Sequence, residues 1–126
     1  MKIRQILFTS PGKAELLERE VPNLGADELL IRMEYTVISS GTERDNLLGR
    51  PNTNHKFPAA LGYCGVGYVQ RKGEAVNELD INDRVLVYHG HHGDYCIKKS
   101  NELTKVSDDK INSLEAAFVV IAAMSL

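Results

Sequence analysis

Three short stretches carry the side chains that could do chemistry. In "SSGTERD", Thr42, Glu43, Arg44 and Asp45 follow Gly41. In "LGYCGVGYV", Tyr63 and Cys64 sit among Gly62, Gly65 and Gly67. In "YHGHHGDYC", His89, His91 and His92 crowd together and Cys96 follows. Two carboxylates at i and i+2 suit general acid–base work. Clustered imidazoles beside a thiol suit zinc or copper. A glycine-dense loop suits a phosphate.

Each stretch also has a plainer reading. Glu43 and Asp45 fit the first turn of a short helix with Thr42 as its N-cap, where acids complement the helix dipole. The glycines run G-x-x-G-x-G with no helix after them, unlike the G-x-G-x-x-G dinucleotide fingerprint, so they read as points where a strand bends or packs closely. On a strand His89 and His91 share one face and His92 takes the other. Gly90 and Gly93 mark a turn there, which leaves one histidine free to act as an acid or base. Cys64, with no partnered histidine nearby in sequence, reads as a small core residue.

The elements that must position these residues are mostly strands. "KIRQILFT" is rich in β-branched and aromatic residues. "KAELLEREV" has helical propensity but lies between turn signals, and reads as a strand. "ELLIRMEYTVIS" alternates Leu29, Ile31, Met33, Tyr35 and Val37 with Leu30, Arg32, Glu34 and Thr36, the period of a half-buried strand. "ERDNLLG" reads as a short helix ended by Gly49. A bent strand follows in "AALGYCGVGYVQRKG", then a turn at Asn82–Asp83, a strand from Arg84 to Tyr88, and two more short strands in "HGDYCIKKSNELTKVSD". The sum is a mainly β domain with glycine-rich corners, a small barrel or sandwich. "SLEAAFVVIAAMSL" differs: Ser113 reads as an N-cap, and the helix behind it is apolar all round, which calls for burial on every side.

Composition narrows the class. The 126 residues suffice for one domain with a core, and the net charge of −2 offers no field for nucleic acid. No apolar run reaches the ~20 residues of a membrane span, and the start lacks a secretory pattern. Two cysteines without a sign of export read as reduced thiols; a cytoplasmic location is the expectation.

In order, "YTVISSGTERD", "FPAALGYCGVGYV", "LDINDRVLVY", "GDYCIKKSNELTKVSD" and "SLEAAFVVIAAMSL" resemble the N-terminal, GroES-like catalytic domain of the medium-chain dehydrogenase/reductase superfamily. The "SGTE" and "GYxGVG" wording is similar to a zinc-less subgroup that includes bacteriochlorophyllide a dehydrogenase-like oxidoreductases. The resemblance implies a partly open β-barrel on the substrate side of a cleft, over residues 1–112. Residues 113–126 would start a connecting helix toward a Rossmann domain that binds NAD or NADP, with the chain cut short at Leu126.

It also implies the site. The family's three zinc-ligand positions fall on Glu43, Tyr63 and near Ile121, and the glutamate beside the second falls on Cys64. The four-cysteine lobe of structural zinc is missing as well, so no zinc is expected. A second arrangement stays open, in which Glu43, Cys64 and a histidine of "HGHH" rebuild a metal site. Without a Lewis acid, Tyr63 becomes the hydrogen-bond donor to a substrate oxygen, and His89 or His91 the proton relay. Arg44 takes the place of a cofactor-phosphate arginine, with Thr42 near it. Asp45 takes the place of a relay hydroxyl, and Ser125 matches a helix hydroxyl near the nicotinamide. The expected partners are a small-molecule substrate, the chain's own Rossmann domain and a second copy in a homodimer, with no nucleic acid and no membrane. Two competing readings are a stand-alone GroES-like binding or co-chaperone module and a pseudoenzyme that keeps only ligand binding.

Overall fold

The computed structural model describes residues 1–125. Leu126, the last residue of the expected connecting helix, lies outside the described residues. Among the described residues, seven strands and three short α-helices follow one another as β1 (Lys2–Ser10), β2 (Lys13–Glu20), β3 (Glu28–Val37), α1 (Ser40–Leu48), β4 (Cys64–Lys72), β5 (Arg84–Tyr88), β6 (Tyr95–Lys99), β7 (Leu103–Lys105), α2 (Ser113–Ala117) and α3 (Val119–Met124), with one 3-10 turn at Ser100–Glu102. "KAELLERE" is therefore a strand, as its flanking turns require and against its propensity.

The strands β6-β3-β4-β5-β7 form an antiparallel sheet that curls into the half-barrel of a GroES-like fold. β1 and β2 form a separate hairpin. Bridges from Gln5 to Gly93 and from Phe8 to Ala59 tie that hairpin to the loops beside the sheet. The concave core gathers Leu29, Ile31, Val69, Val85, Val87 and Cys96. The alternation read in β3 places Leu29 and Ile31 there at 0 % exposure, while Leu30 is equally buried on the other face. At ~25 cal/mol per Å² of apolar surface removed from water, each such side chain contributes roughly 2 kcal/mol of burial.

The glycines of "LGYCGVGYV" are packing residues. A Cβ on Gly67 would stand 2.4 Å from the Arg32 carbonyl oxygen, and one on Gly62 would stand 2.6 Å from the His91 Cα. Gly62 thus lets the chain before β4 press against the histidine loop.

Three local expectations change. Ser39, not Thr42, occupies the N-cap of α1, because the Glu43 carboxylate reaches back to accept the Ser39 N–H at 2.5 Å. Asn112, not Ser113, caps α2: its side chain accepts the Glu115 N–H at 2.8 Å and the Glu115 carboxylate accepts the Asn112 N–H at 3.3 Å, a reciprocal box. The apolar terminal segment breaks at Phe118 into α2 and α3, and only the inner face, Ala116 and Ala117, is buried. Phe118, Val119 and Met124 are exposed.

Candidate functional site

Helix α1 is the element around which the candidate residues are arranged. Its C-terminus is closed by Gly49 at φ 64, where the left-handed backbone favours glycine. Its two faces look onto different openings.

One face meets α3 and the start of β4. There a cleft of about 250 Å³ is lined by Ser39, Thr42, Tyr63, Ile121, Met124 and Ser125. The Tyr63 hydroxyl donates to the Met124 sulfur. Burial, then the neighbouring Tyr88 hydroxyl, pushes the Tyr63 phenol up from its ordinary value, so it keeps its proton and acts as a donor across the neutral range. The Ser125 hydroxyl donates to the Ile121 carbonyl at 3.0 Å. Beside Tyr63, the rings of Tyr88 and His89 stack at a tilt 3.9 Å apart, and both meet Tyr63 edge-on at 5.7 and 5.9 Å. His89, at φ 52, is exposed, and its N–H donates to the Tyr63 carbonyl at 3.0 Å.

The other face of α1 meets β1. Arg44 lines this side with Ser40, Leu47, Ile6, Phe8 and Ile38, around an apolar groove of about 420 Å³ floored by Glu43 and His92. Glu43 is 6 % and His92 9 % exposed. His92 Nε2 bonds Glu43 Oε1, and His92 Nδ1 lies 2.7 Å from Thr36 Oγ1. A carboxylate only accepts, so Nε2 carries a proton toward Glu43, and Nδ1 bonds the Thr36 hydroxyl. The three side chains form a carboxylate–imidazole–hydroxyl chain, with Thr36 half-buried at the outer end.

The remaining candidates are accounted for by structure. Asp45 accepts from Arg50 at 2.7 Å and from Asn52 at 3.3 Å, which ties down the loop after α1. His91 donates from Nε2 to the Tyr95 carbonyl at 2.8 Å, and burial holds its pKa below the usual imidazole value. Cys64 donates its Sγ–H to the Ala117 carbonyl at 3.3 Å, and burial raises its pKa. Burial pushes Cys96 up to about 11. Neither thiol is an activated nucleophile.

The structure thus brings Thr42, Tyr63 and Ser125 together, with His89 beside them, and places Arg44 and Glu43 on the opposite side of α1. Sequence reasoning paired Glu43 with a histidine of "HGHH" only as part of an alternative metal site, and missed Thr36. The pairing joins residues 49 and 56 positions apart, and no local pattern signals such a contact.

The donor set does not fit a zinc ion. Ile121 has no donor atom, Tyr63 is held protonated, and the Glu43 oxygens are engaged by His92 and the Ser39 N–H. Among the described residues no group of three or more His, Cys, Asp or Glu side chains is placed to hold a metal ion. A nicotinamide does fit the α1–α3 cleft, which offers the Thr42 and Ser125 hydroxyls against the Ile121 and Met124 side chains. Among the described residues no helix is long and apolar enough to cross a membrane.

No family model matches the chain. It is 28% identical over 88 residues to an alcohol dehydrogenase of Cupriavidus necator, covering 67% of this chain and 22% of that protein. It is 27% identical over 109 residues to the starvation-sensing protein RspB of Escherichia coli, covering 83% of this chain and 32% of that one. The chain therefore spans about a fifth to a third of the length of the curated relatives it matches. A solved structure described as an NADPH:quinone reductase from Bacillus thuringiensis superposes with a TM-score of 0.85 over 99% of this chain and 39% of that one. At 21% identity this likeness shows a shared fold. The chain is thus similar in sequence to an alcohol dehydrogenase and in fold to a solved structure described as an NADPH:quinone reductase.

Proposed function

We propose that this chain is the substrate-side domain of an NAD(P)-dependent, zinc-independent oxidoreductase acting on an alcohol or ketone. One observation carries the reading: Thr42, Tyr63 and Ser125, assigned to the site by the family resemblance alone, line a single cleft. The names of the similar proteins, an alcohol dehydrogenase and an NADPH:quinone reductase, support the reaction class. Residues 1–112 form the GroES-like unit, and residues 113–126 start the connection to a Rossmann domain. The exposed Phe118, Val119 and Met124 form the apolar surface on which that domain docks.

A bound nicotinamide supplies or accepts the hydride. This chain's residues do the rest. Thr42 and Ser125 orient the ring, Tyr63 donates a hydrogen bond to the substrate oxygen as charge develops there, and the Ile121 and Met124 side chains exclude water. The donor set described above supports the zinc-independent reading. Arg44 lines the apolar groove on the other face of α1.

The test is Tyr63→Phe in the two-domain protein. We expect turnover to fall by roughly 100-fold with little change in cofactor affinity. Unchanged turnover removes Tyr63 from the mechanism.

A further inference from the structure

We infer that the apolar groove between α1 and β1 is a binding site for a monocarboxylate with an unbranched apolar tail, with Arg44 as the residue that holds the carboxylate. The site is separate from the Tyr63–Ser125 cleft and stands independently of the oxidoreductase reading.

The groove suits an apolar occupant. Ile6, Phe8, Ile38 and Leu47 wall it, and its volume is about 420 Å³. Small-molecule sites span roughly 300–1,000 Å³ and are mostly apolar with a few convergent polar groups. Ile38 is 69 % exposed and Ile6 38 %, so the folded chain leaves apolar surface uncovered at this rim. A recess of about 320 Å³ adjoins the groove across Ile6 and His92, which line both, and reaches the exposed Leu16. Ile6 and Leu16 are register partners in the β1–β2 hairpin. An extended alkyl chain can therefore run from α1 over Ile6 toward Leu16.

The floor accepts such a chain. Glu43 and His92 are polar, but their hydrogen-bonding atoms are already engaged. His92 bonds Glu43 through Nε2 and Thr36 through Nδ1, and the second Glu43 oxygen accepts the Ser39 N–H. Covering the pair with an apolar tail thus orphans no donor or acceptor.

Charge selects the head group. The charged residues that line the groove and the recess are Arg44, Glu43, Arg4 and Asp94. Arg4 pairs with Asp94 at 3.2 Å, and Glu43 is engaged by His92. Next along α1, Asp45 is taken by Arg50 at 2.7 Å. Arg44 is exposed and has no ion-pair partner among the described residues. One unpaired guanidinium beside an apolar groove complements one negative charge, and its planar fork matches a carboxylate. The Glu43 carboxylate beside it in the chain weighs against a dianion such as a phosphate monoester.

The experiment uses the 126-residue chain with ¹³C-labelled isoleucine and leucine methyl groups, and sodium octanoate and octan-1-ol as probes. We expect both to shift the Ile6, Ile38 and Leu47 methyl groups saturably. Arg44→Gln should weaken octanoate by about fivefold and leave octan-1-ol unchanged. Added NaCl should weaken octanoate in the unsubstituted chain and spare octan-1-ol, a readout that needs no variant. Equal octanoate affinity in Arg44→Gln, salt-independent octanoate binding, or shifts confined to Leu114 and Ile121 overturn the site. In the two-domain protein, octanoate binding should persist with NADPH or NADH at saturation. Displacement by either nucleotide assigns the groove to the cofactor, and loss of binding in that protein assigns it to the interface between domains; each overturns the site. Neither result bears on ketone reduction, which Tyr63→Phe tests separately.

Discussion

The two faces of helix α1 differ in how complete they are within this chain. On the β1 face, every polar atom of the Glu43–His92 pair has a partner, and both side chains are buried. On the α3 face, the half-buried Tyr63 bonds the Met124 sulfur, and Phe118, Val119 and Met124 are exposed. The difference teaches which interactions each face can withstand losing. A buried, fully satisfied network is held by the fold and cannot lose a member cheaply. A half-buried hydroxyl whose partner is a thioether sulfur, a weak acceptor, contributes little to folding and can serve a ligand.

The sharpest break is on the β1 face. Glu43→Ala leaves the His92 ring without its buried partner, and we expect a loss of about 3 kcal/mol in urea unfolding. A loss below ~1 kcal/mol would show that the pair is not formed in solution. Next in size is Gly67→Ala. Its Cβ would meet the Arg32 carbonyl at 2.4 Å, and backbone cannot yield as a side-chain end can, so a loss of about 2 kcal/mol is expected. Asn112→Ala removes the cap that starts the α2–α3 segment and should cost about 1 kcal/mol; it should also disturb Tyr63 through α3, visible as changed tyrosine fluorescence. Smallest is Tyr63→Phe, with a stability change within about 0.5 kcal/mol, in contrast to its effect on turnover.

Acid tests the same contrast through His91. Burial keeps its folded pKa below the unfolded value of about 6.5. The unfolded chain therefore binds more protons than the folded one between those two values, and stability falls as pH drops through that window. The contribution is fully present above pH ~6.5 and is lost below the folded pKa. Unfolding midpoints measured down through this range should decline, and His91→Gln should flatten that limb.

Much of the fold was legible because it is local. Period-two alternation located β3, turn chemistry located the Asn82–Asp83 corner and β5, and Gly49 ended α1 where its left-handed backbone required. The strand at Lys13–Glu20 was readable from its flanking turns although its residues favour helix, since pairing with β1 outweighs propensity. The N-caps slipped by three and by one residue because Glu43 reaches back to the Ser39 N–H and Asn112 accepts the Glu115 N–H, a competition that residue types alone do not rank. Thr42, Tyr63 and Ser125, named by resemblance, line one cleft, whereas the Glu43–His92–Thr36 contact is made by topology and could be read from the sequence only as an alternative pairing of Glu43 with a histidine of "HGHH". The strand parity that set His92 apart from His89 and His91 points to a different environment without naming its partner.

The central claim is that this domain forms the substrate side of a nicotinamide-dependent oxidoreductase without zinc. The most direct measurement is to express the complete coding region that contains this chain, remove metals with a chelator, and follow NADPH and NADH at 340 nm with an apolar ketone such as acetophenone. The account predicts saturable binding of one of the two cofactors and ketone-dependent oxidation that survives chelation. Absence of nicotinamide binding, or activity that vanishes with the chelator and returns with added zinc, would contradict it.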